Sequence, residues 1–238
     1  MGTFVQTALE VIWGEFDIST DHKAVSLMLN NQVRDSTRYG HTARTSLPGL
    51  NAWEANGEGY NDFADNALDE SLFGHLATND VLLSIAPLGA TVTQPVYFGN
   101  SVQAEFSPMG DEVGEIAAFR WTAEGSDQYG MINGSVALNA QPSATGNGTA
   151  YQLGAVAAGQ RVYLGLHFLV CSASITVTLE SDNAEGFPSA TTRVSGAAQS
   201  AVGHQFLSAA GAITDDWWRI EYTTGGGTFD IIAVVGIQ

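Results

Sequence analysis

The side chains able to do chemistry in this chain are mostly carboxylates, and their spacing selects no reaction. Twenty-five Asp and Glu stand against eight Lys and Arg in 238 residues. A chain this acidic can bring two carboxyls together as general acid and base, the glycosidase arrangement, yet nothing in the linear order picks a pair. The histidines, His22, His41, His75, His167 and His204, are scattered without the spacing of a zinc site. Asp182-Asn183-Ala184-Glu185-Gly186 and Asp111-Glu112 with Glu115 offer oxygen ligands, but they miss the alternating Asp spacing of a calcium loop, and turn chemistry accounts for both. No nucleophile elbow, phosphate-binding loop or paired-cysteine motif occurs. The expectation is a protein that is not an enzyme and takes no cofactor and no metal. The lone Cys171 follows the apolar run Leu164 to Val170 and reads as a buried thiol.

What remains is electrostatic. Arg34, Arg38 and Arg44, three of the eight cations, share one polar excursion between Asn30 and Leu50, with Asp35, Tyr39, Leu47 and Pro48 beside them. In an arbitrary protein these are solvated loop charges. An excursion this long inside a compact domain is unusual, however, and either disorder or a binding role explains it. An acidic chain that gathers its scarce positive charge on one protruding segment is suited to self-complementary assembly. A second candidate is Asp215-Asp216-Trp217-Trp218-Arg219, a composition met in sugar-binding platforms. Strand alternation gives it another reading, in which Trp218, Ile220 and Tyr222 pack a core and Trp217 lies outward, stacked on Arg219, as an exterior surface contact.

The elements that must position these residues read as strands. Apolar and β-branched residues in short runs predict strands at 9–13, 24–29, 51–59, 81–85, 95–106, 114–123 and 131–138, the first two paired as neighbours and 95–106 hairpinned with 114–123. One helix is expected, with Leu68, Leu72, Phe73 and Leu76 on its packing face, Asp65 or Asn66 at its cap, and Gly74 weakening or ending it. The small, polar run 141–148 reads as a linker between a domain at 1–140 and a second at 149–238. Six further strands, 161–170, 174–179, 191–195, 205–208, 217–222 and 229–235, have the spacing of a β-sandwich. A net charge of −17 excludes tight nucleic-acid binding, which depends on Lys and Arg neutralising phosphates. No stretch approaches the roughly 20 apolar residues of a membrane span, so no membrane is expected as a partner, and no export or anchoring signal is read.

In this order the first domain resembles the tail tube (major tail) proteins of long-tailed, siphovirus-like bacteriophages. The resemblance rests on the strand ending Ala24 to Leu29, the loop Val33 to Gly40, Leu47-Pro48-Gly49-Leu50 leading to Gly57-Glu58-Gly59, the helix Asn66 to Phe73, and Ala104 to Pro108 followed by Gly114-Glu115. It covers about residues 5 to 140. The remainder looks like the β-sandwich appended to many phage virion proteins, on Ala158 to Tyr163 and Ile213 to Ile220. What the resemblance implies is an all-β fold with one short α-helix: a β-sandwich or barrel domain that joins its neighbours into a ring, plus an Ig-like or jelly-roll-like C-terminal sandwich on the exterior. It further implies hexameric rings stacked into a hollow virion tail, assembled in the host cytoplasm, that passes DNA without binding it tightly. The implied partners are other copies of the chain and the tape measure, tail terminator and tail-tip proteins. Residues Val33 to Pro48 would be the stacking element, within a loop from Asn30 to Leu50 that would be mobile until an adjacent ring fixes it. The alternative is a capsid decoration protein, or a tail-tip adhesin that touches a host surface glycan through the C-terminal domain. Further back stands a carbohydrate-binding module of a secreted protein.

Overall fold

The computed structural model describes residues 8–40, 42–61, 68–109 and 115–238, and it is nearly all β. The chain begins with β1 (Glu10–Trp13) and β2 (Phe16–Asp17), then the long pair β3 (His22–Asp35) and β4 (Ser46–Tyr60), and then the single helix α1 (Leu68–His75). β5 (Val81–Ala86), β6 (Pro95–Ser107), β7 (Ala118–Gly125) and β8 (Ile132–Ala140) follow, with short β9 (Gly146–Asn147) and β10 (Tyr151–Gln152). The rest of the chain is β11 (Arg161–Cys171), β12 (Ile175–Asp182), β13 (Thr191–Ser195), β14 (Gly203–Ala210), β15 (Trp217–Thr224) and β16 (Phe229–Ile237). All thirteen strands expected from sequence are present, and the hairpin of β6 with β7 is formed. β1 and β3 are not neighbours: β1 pairs with β2 and β5, and β3 with β4.

The division of the chain differs from the one expected at 141–148. One unit holds the described residues up to Thr20, Val81–Gly99 and Ile132–Gln238; the other holds Asp21–Asp80 and Asn100–Met131. The reason is pairing. The last strand, β16, is hydrogen-bonded to β8 from Ile231↔Ala140 to Gly236↔Gly134, so the chain before and after the supposed linker shares one sheet. Within that run, Gly146 and Asn147 themselves pair with Tyr222 and Glu221 of β15.

In the first unit β14, β11, β16 and β8 pair in that order, and a second sheet carries β10, β15, β12 and β13. Val162, Leu164, Leu166 and Phe168 of β11 pack with Ile231, Ala233 and Val235 of β16 against Val177, Leu179, Trp218 and Ile220. Trp218 and Ile220 thus do face the core, with Tyr222 packed against it. The opposite face of β11 is also covered, since a side chain at Gly165 would meet Leu82 of β5 and Phe98 of β6. β11 and β16 are therefore buried on both faces, which is why they read as unbroken apolar runs.

A buried histidine fastens this layering. His167 of β11 is fully buried; its Nδ1–H donates to the Gly14 carbonyl at 2.7 Å, and its Nε2 accepts from the Ser84 hydroxyl at 2.7 Å. A carbonyl can only accept, so the ring is the neutral Nδ1–H tautomer. Burial pushes its pKa down from 6.5 to about 4, against a raising contribution from the Gly14 hydrogen bond. His204, opposite it on β14, and Glu15 are the titratable groups that face it.

In the second unit β3, β4, β7 and the end of β6 pair in that order. Trp53, Ala55, Phe119, Trp121 and Ala123 are buried on one face, and Gly57 gives the Trp121 indole room to lie there. The indole N–H of Trp121 donates to His22 Nε2 at 2.7 Å. On α1 the buried residues are Leu68, Ser71, Leu72 and His75, whereas Phe73 is 69% and Leu76 42% exposed. At about 100° per residue Phe73 lies some 140° from Leu68, so the face expected from sequence was drawn too wide. The helix ends at His75, one residue past Gly74, and its expected cap, Asp65 or Asn66, lies outside the described residues. Cys171 is half-buried, its thiol donating to the Ala173 carbonyl.

Two outcomes follow from this architecture. A fragment ending at residue 146 loses β11 and β16, leaving the apolar faces of β5 and β8 bare; by amide exchange β1, β5 and β8 are expected to be unprotected in it, where a separable C-terminal domain would leave them protected. As pH falls from 6.5 to about 4 the unfolded chain protonates His167 and the folded chain does not, so stability is lost across that window, by about 3 kcal/mol at its lower end. Urea unfolding at several pH values checks it: the stability advantage of wild type over His167→Gln should shrink by that amount on acidification.

Candidate interaction surface

The excursion between Asn30 and Leu50 is a β-hairpin arm. Its ladder runs outward through Leu29↔Trp53, Asn31↔Asn51, Val33↔Pro48 and Arg34↔Leu47 to Asp35↔Ser46. The ladder is bulged here on β4, where Gly49 and Leu50 together oppose the single Gln32 of β3, and Gly49 has no Cβ because one would lie 2.6 Å from the Gln32 carbonyl oxygen. Beyond the ladder Ser36 N–H donates to the Thr45 carbonyl at 2.9 Å, and Thr45 N–H to the Thr37 hydroxyl at 3.0 Å. The Thr37 hydroxyl, and then its N–H at 2.8 Å, bond Asp35 and hold its carboxyl below the usual range. Sequence reading missed these strands because residues 30–35 are almost all polar; the signal available was the matched lengths either side of a Ser-Thr-rich centre.

The arm leaves the core as it lengthens. Trp53 and Ala55 at its base are buried, but Met28, Leu29, Val33, Leu47 and Leu50 are all more than half exposed. Neither face of the distal ribbon is covered. A two-stranded hairpin standing alone is at best marginally stable in water, and clustered exposed apolar side chains mark an interaction site. Arg44 lies 3.4 Å from Asp35, both well exposed, and Arg34 reaches the Gln32 amide oxygen at 3.5 Å. Such exposed pairs are worth about 0–1 kcal/mol each. Arg38 and Tyr39 project at the tip, and among the described residues Arg38 has no ion pair. The structure thus brings Arg34, Asp35, Arg38, Tyr39, Arg44 and Leu47 together on one projection; of Pro48 only the backbone, opposite Val33, is described.

The solvent face of the same sheet is acidic. Glu54 stands directly opposite Glu124, Glu58 opposite Arg120, and Glu105 opposite Thr122, all on the side away from Trp53, Ala55 and Trp121. Arg120 lies 3.7 Å from Glu58, and the Thr122 hydroxyl donates to the Asn56 side-chain oxygen at 2.7 Å. Two glutamates directly across a ladder repel, so stability did not select them. They are legible in hindsight: Trp53-Glu54-Ala55-Asn56-Gly57-Glu58 alternates residue by residue.

The other candidates serve the chain internally. Arg219 is bound to Glu180 at 2.8 Å, its cross-strand partner, and lies 4.3 Å over the Phe187 ring; it does not form an open platform with Trp217, which is half-buried. Asp215 accepts from the Ser181 hydroxyl at 2.6 Å and from Arg193 at 2.7 Å, which lowers its pKa. Asp182 accepts backbone N–H groups of Ala184 and Ser189, tying down the 183–189 turn. Among the described residues no three metal-ligating side chains converge.

Replacing Gly49 with Val should move the bulge and tilt the arm while leaving the core intact. The expected result is an unchanged melting temperature with altered amide exchange confined to residues 30–50.

No protein-family model and no curated protein matches the chain. Among solved structures it is similar to a chain of the virion of a native gene transfer agent particle, at 12% identity over 54% of this chain and 98% of that one, with a TM-score of 0.44. It is similar also to the SPP1 Dit protein, a hub of the adsorption apparatus in phages infecting Gram-positive bacteria, at 10% identity over 98% and 100% of the two chains, TM-score 0.38. A chain of the infectious bursal disease virus Gx strain gives 10% identity over 97% and 57%, TM-score 0.28. At these scores and identities the likenesses carry no assignment of function.

Proposed function

We propose that this chain is a virion structural protein that builds a phage tail tube from stacked homohexameric rings. The observation that carries the reading is the arm: a two-faced, uncovered ribbon with exposed apolar side chains and three of the chain's eight cations, on a molecule that is otherwise strongly acidic. Such a segment is completed by another copy. A second observation fits ring closure. Among the described residues β3 pairs only with β4, so its outer edge offers unpaired backbone groups to a neighbour's strand. Sheets joined edge to edge around an axis leave no free edge, and a heterologous axial contact then repeats without limit, so another protein must set the length.

The acidic face of Glu54, Glu58, Glu105 and Glu124 suits a bore. A wall that bound phosphate would hold a genome at many points, whereas carboxylates repel it. This reading locates the protein in the virion tail, assembled in the host cytoplasm, with tape measure, terminator and tail-tip proteins as its partners. Catalysis has no part in it. The adhesin alternative loses its main support, since Arg219 is engaged within its own sheet.

Electron microscopy with sedimentation velocity tests the assignment. Purified protein is expected to form six-fold rings or stacked cylinders, and a variant with residues 33–48 replaced by a short turn should stay folded without forming cylinders. Monomers or trimers at every concentration and salt would remove the reading.

A further inference from the structure

The strand that leads into the arm has little to hold it. None of the fourteen residues of β3 is buried, and among the described residues its backbone pairs only with β4. One side-chain bond reaches it from farther inside the sheet. Trp121 of β7 is 1% exposed, and its indole crosses β4 at Gly57, where a Cβ would collide with the ring. From there it donates its N–H to His22 Nε2 at 2.7 Å. His22 is the first residue of β3, and its ring stands perpendicular to Phe119, with 5.1 Å between centroids. The bond thus ties an edge strand to the strand two places in, across a stretch of β4 whose inward positions, Gly57 and Gly59, carry no side chain.

We propose that this bond is a pH-sensitive staple: neutral His22 holds the start of β3 to the sheet, and protonated His22 releases it. An indole nitrogen only donates, so the Nε2 it reaches has to offer a lone pair. Protonation fills that lone pair. Two N–H groups then face each other, the bond is lost, and the buried indole N–H loses its acceptor, which is the costly case for a polar group out of water. On the inward face the ladder neighbours of His22 are Gly59 and Phe119, and neither titrates. The titratable groups at this end of the sheet are Asp21 and Lys23, which flank it in sequence, Glu58 and Tyr60 of β4, Arg120 of β7, 3.7 Å from Glu58, and Glu115. Because β3 buries no side chain of its own, loss of the staple leaves only its ladder with β4. The strand released is the one that offers a free edge and carries the arm, so acidification slackens both. The inference stands whether or not copies of the chain form a tube.

Residue-resolved NMR of the full chain, kept dilute and unassembled, from about pH 8 to pH 4 tests it and separates His22 from His167 in the other unit. The His22 ring resonances and the Trp121 indole N–H should move in one step. In that step amide protection over residues 22–27 should fall by about tenfold or more, while β7 keeps its protection. His22→Gln, whose amide oxygen accepts from the indole across this range, should hold that protection constant. His22→Ala should show low protection at residues 22–27 throughout. A His22 ring that titrates without moving the indole resonance, a ring that stays neutral until the chain unfolds, or wild-type protection in His22→Ala would each overturn the staple.

Discussion

Apolar strand faces have to be covered, and this chain meets that requirement in two opposite ways. β11 and β16 are covered twice, by β12 and β15 on one side and by residues of β5 and β6 on the other. The distal halves of the β3–β4 ribbon are covered on neither side. The first arrangement makes a unit that depends on both ends of the sequence at once. His167 shows how close the dependence is, since a single ring takes a hydrogen bond from Ser84 and gives one to Gly14. The second arrangement makes a segment whose own hydrogen bonds fix its shape but whose side chains gain nothing from it within one molecule.

Electrostatics sharpens that contrast. With −17 formal charges, copies of this chain repel at any distance shorter than the Debye length, about 8 Å at physiological ionic strength. Electrostatics favours contact where cations are presented, and three of the chain's eight are on the arm. The carboxylates of Glu54, Glu58, Glu105 and Glu124 on the solvent face of the second unit work in the other direction, repelling a like face. In the proposed assembly that concentration of cations on one projection would make association directional without requiring any single strong bond.

Much of this was legible in the sequence. Period-2 alternation located the strands, and Trp218 with Ile220 faced inward as their spacing required. The arginine-rich segment stood out by charge scarcity alone. Three things were not legible, each for a physical reason. Residues 30–35 lack apolar alternation because a ribbon exposed on both faces has no inward side to record. The helix face was misjudged because apolar content does not fix the direction of Phe73, whereas geometry does. The boundary at 141–148 failed because a glycine-rich, small-residue run is also what a tight passage between two paired sheets requires, and β16 returning to β8 is a contact that spans more than ninety residues of chain.

The arm's order also changes how assembly would be controlled. A loop that is disordered until docked loses conformational entropy on binding, of order 1–2 kcal/mol per residue fixed, and premature contact is weak for that reason. A ladder-paired hairpin with a bulge set by Gly49 and a tip closed by Ser36, Thr37 and Thr45 has already lost most of that entropy on folding. Docking a preorganised arm is correspondingly less costly. In the proposed tube, restraint on early polymerisation would then come from elsewhere, and the net charge is the device the sequence provides: a closed hexamer would concentrate the repulsion of six acidic subunits. A pre-existing end that already presents a complementary surface relieves that repulsion locally, which favours growth on a template over spontaneous nucleation.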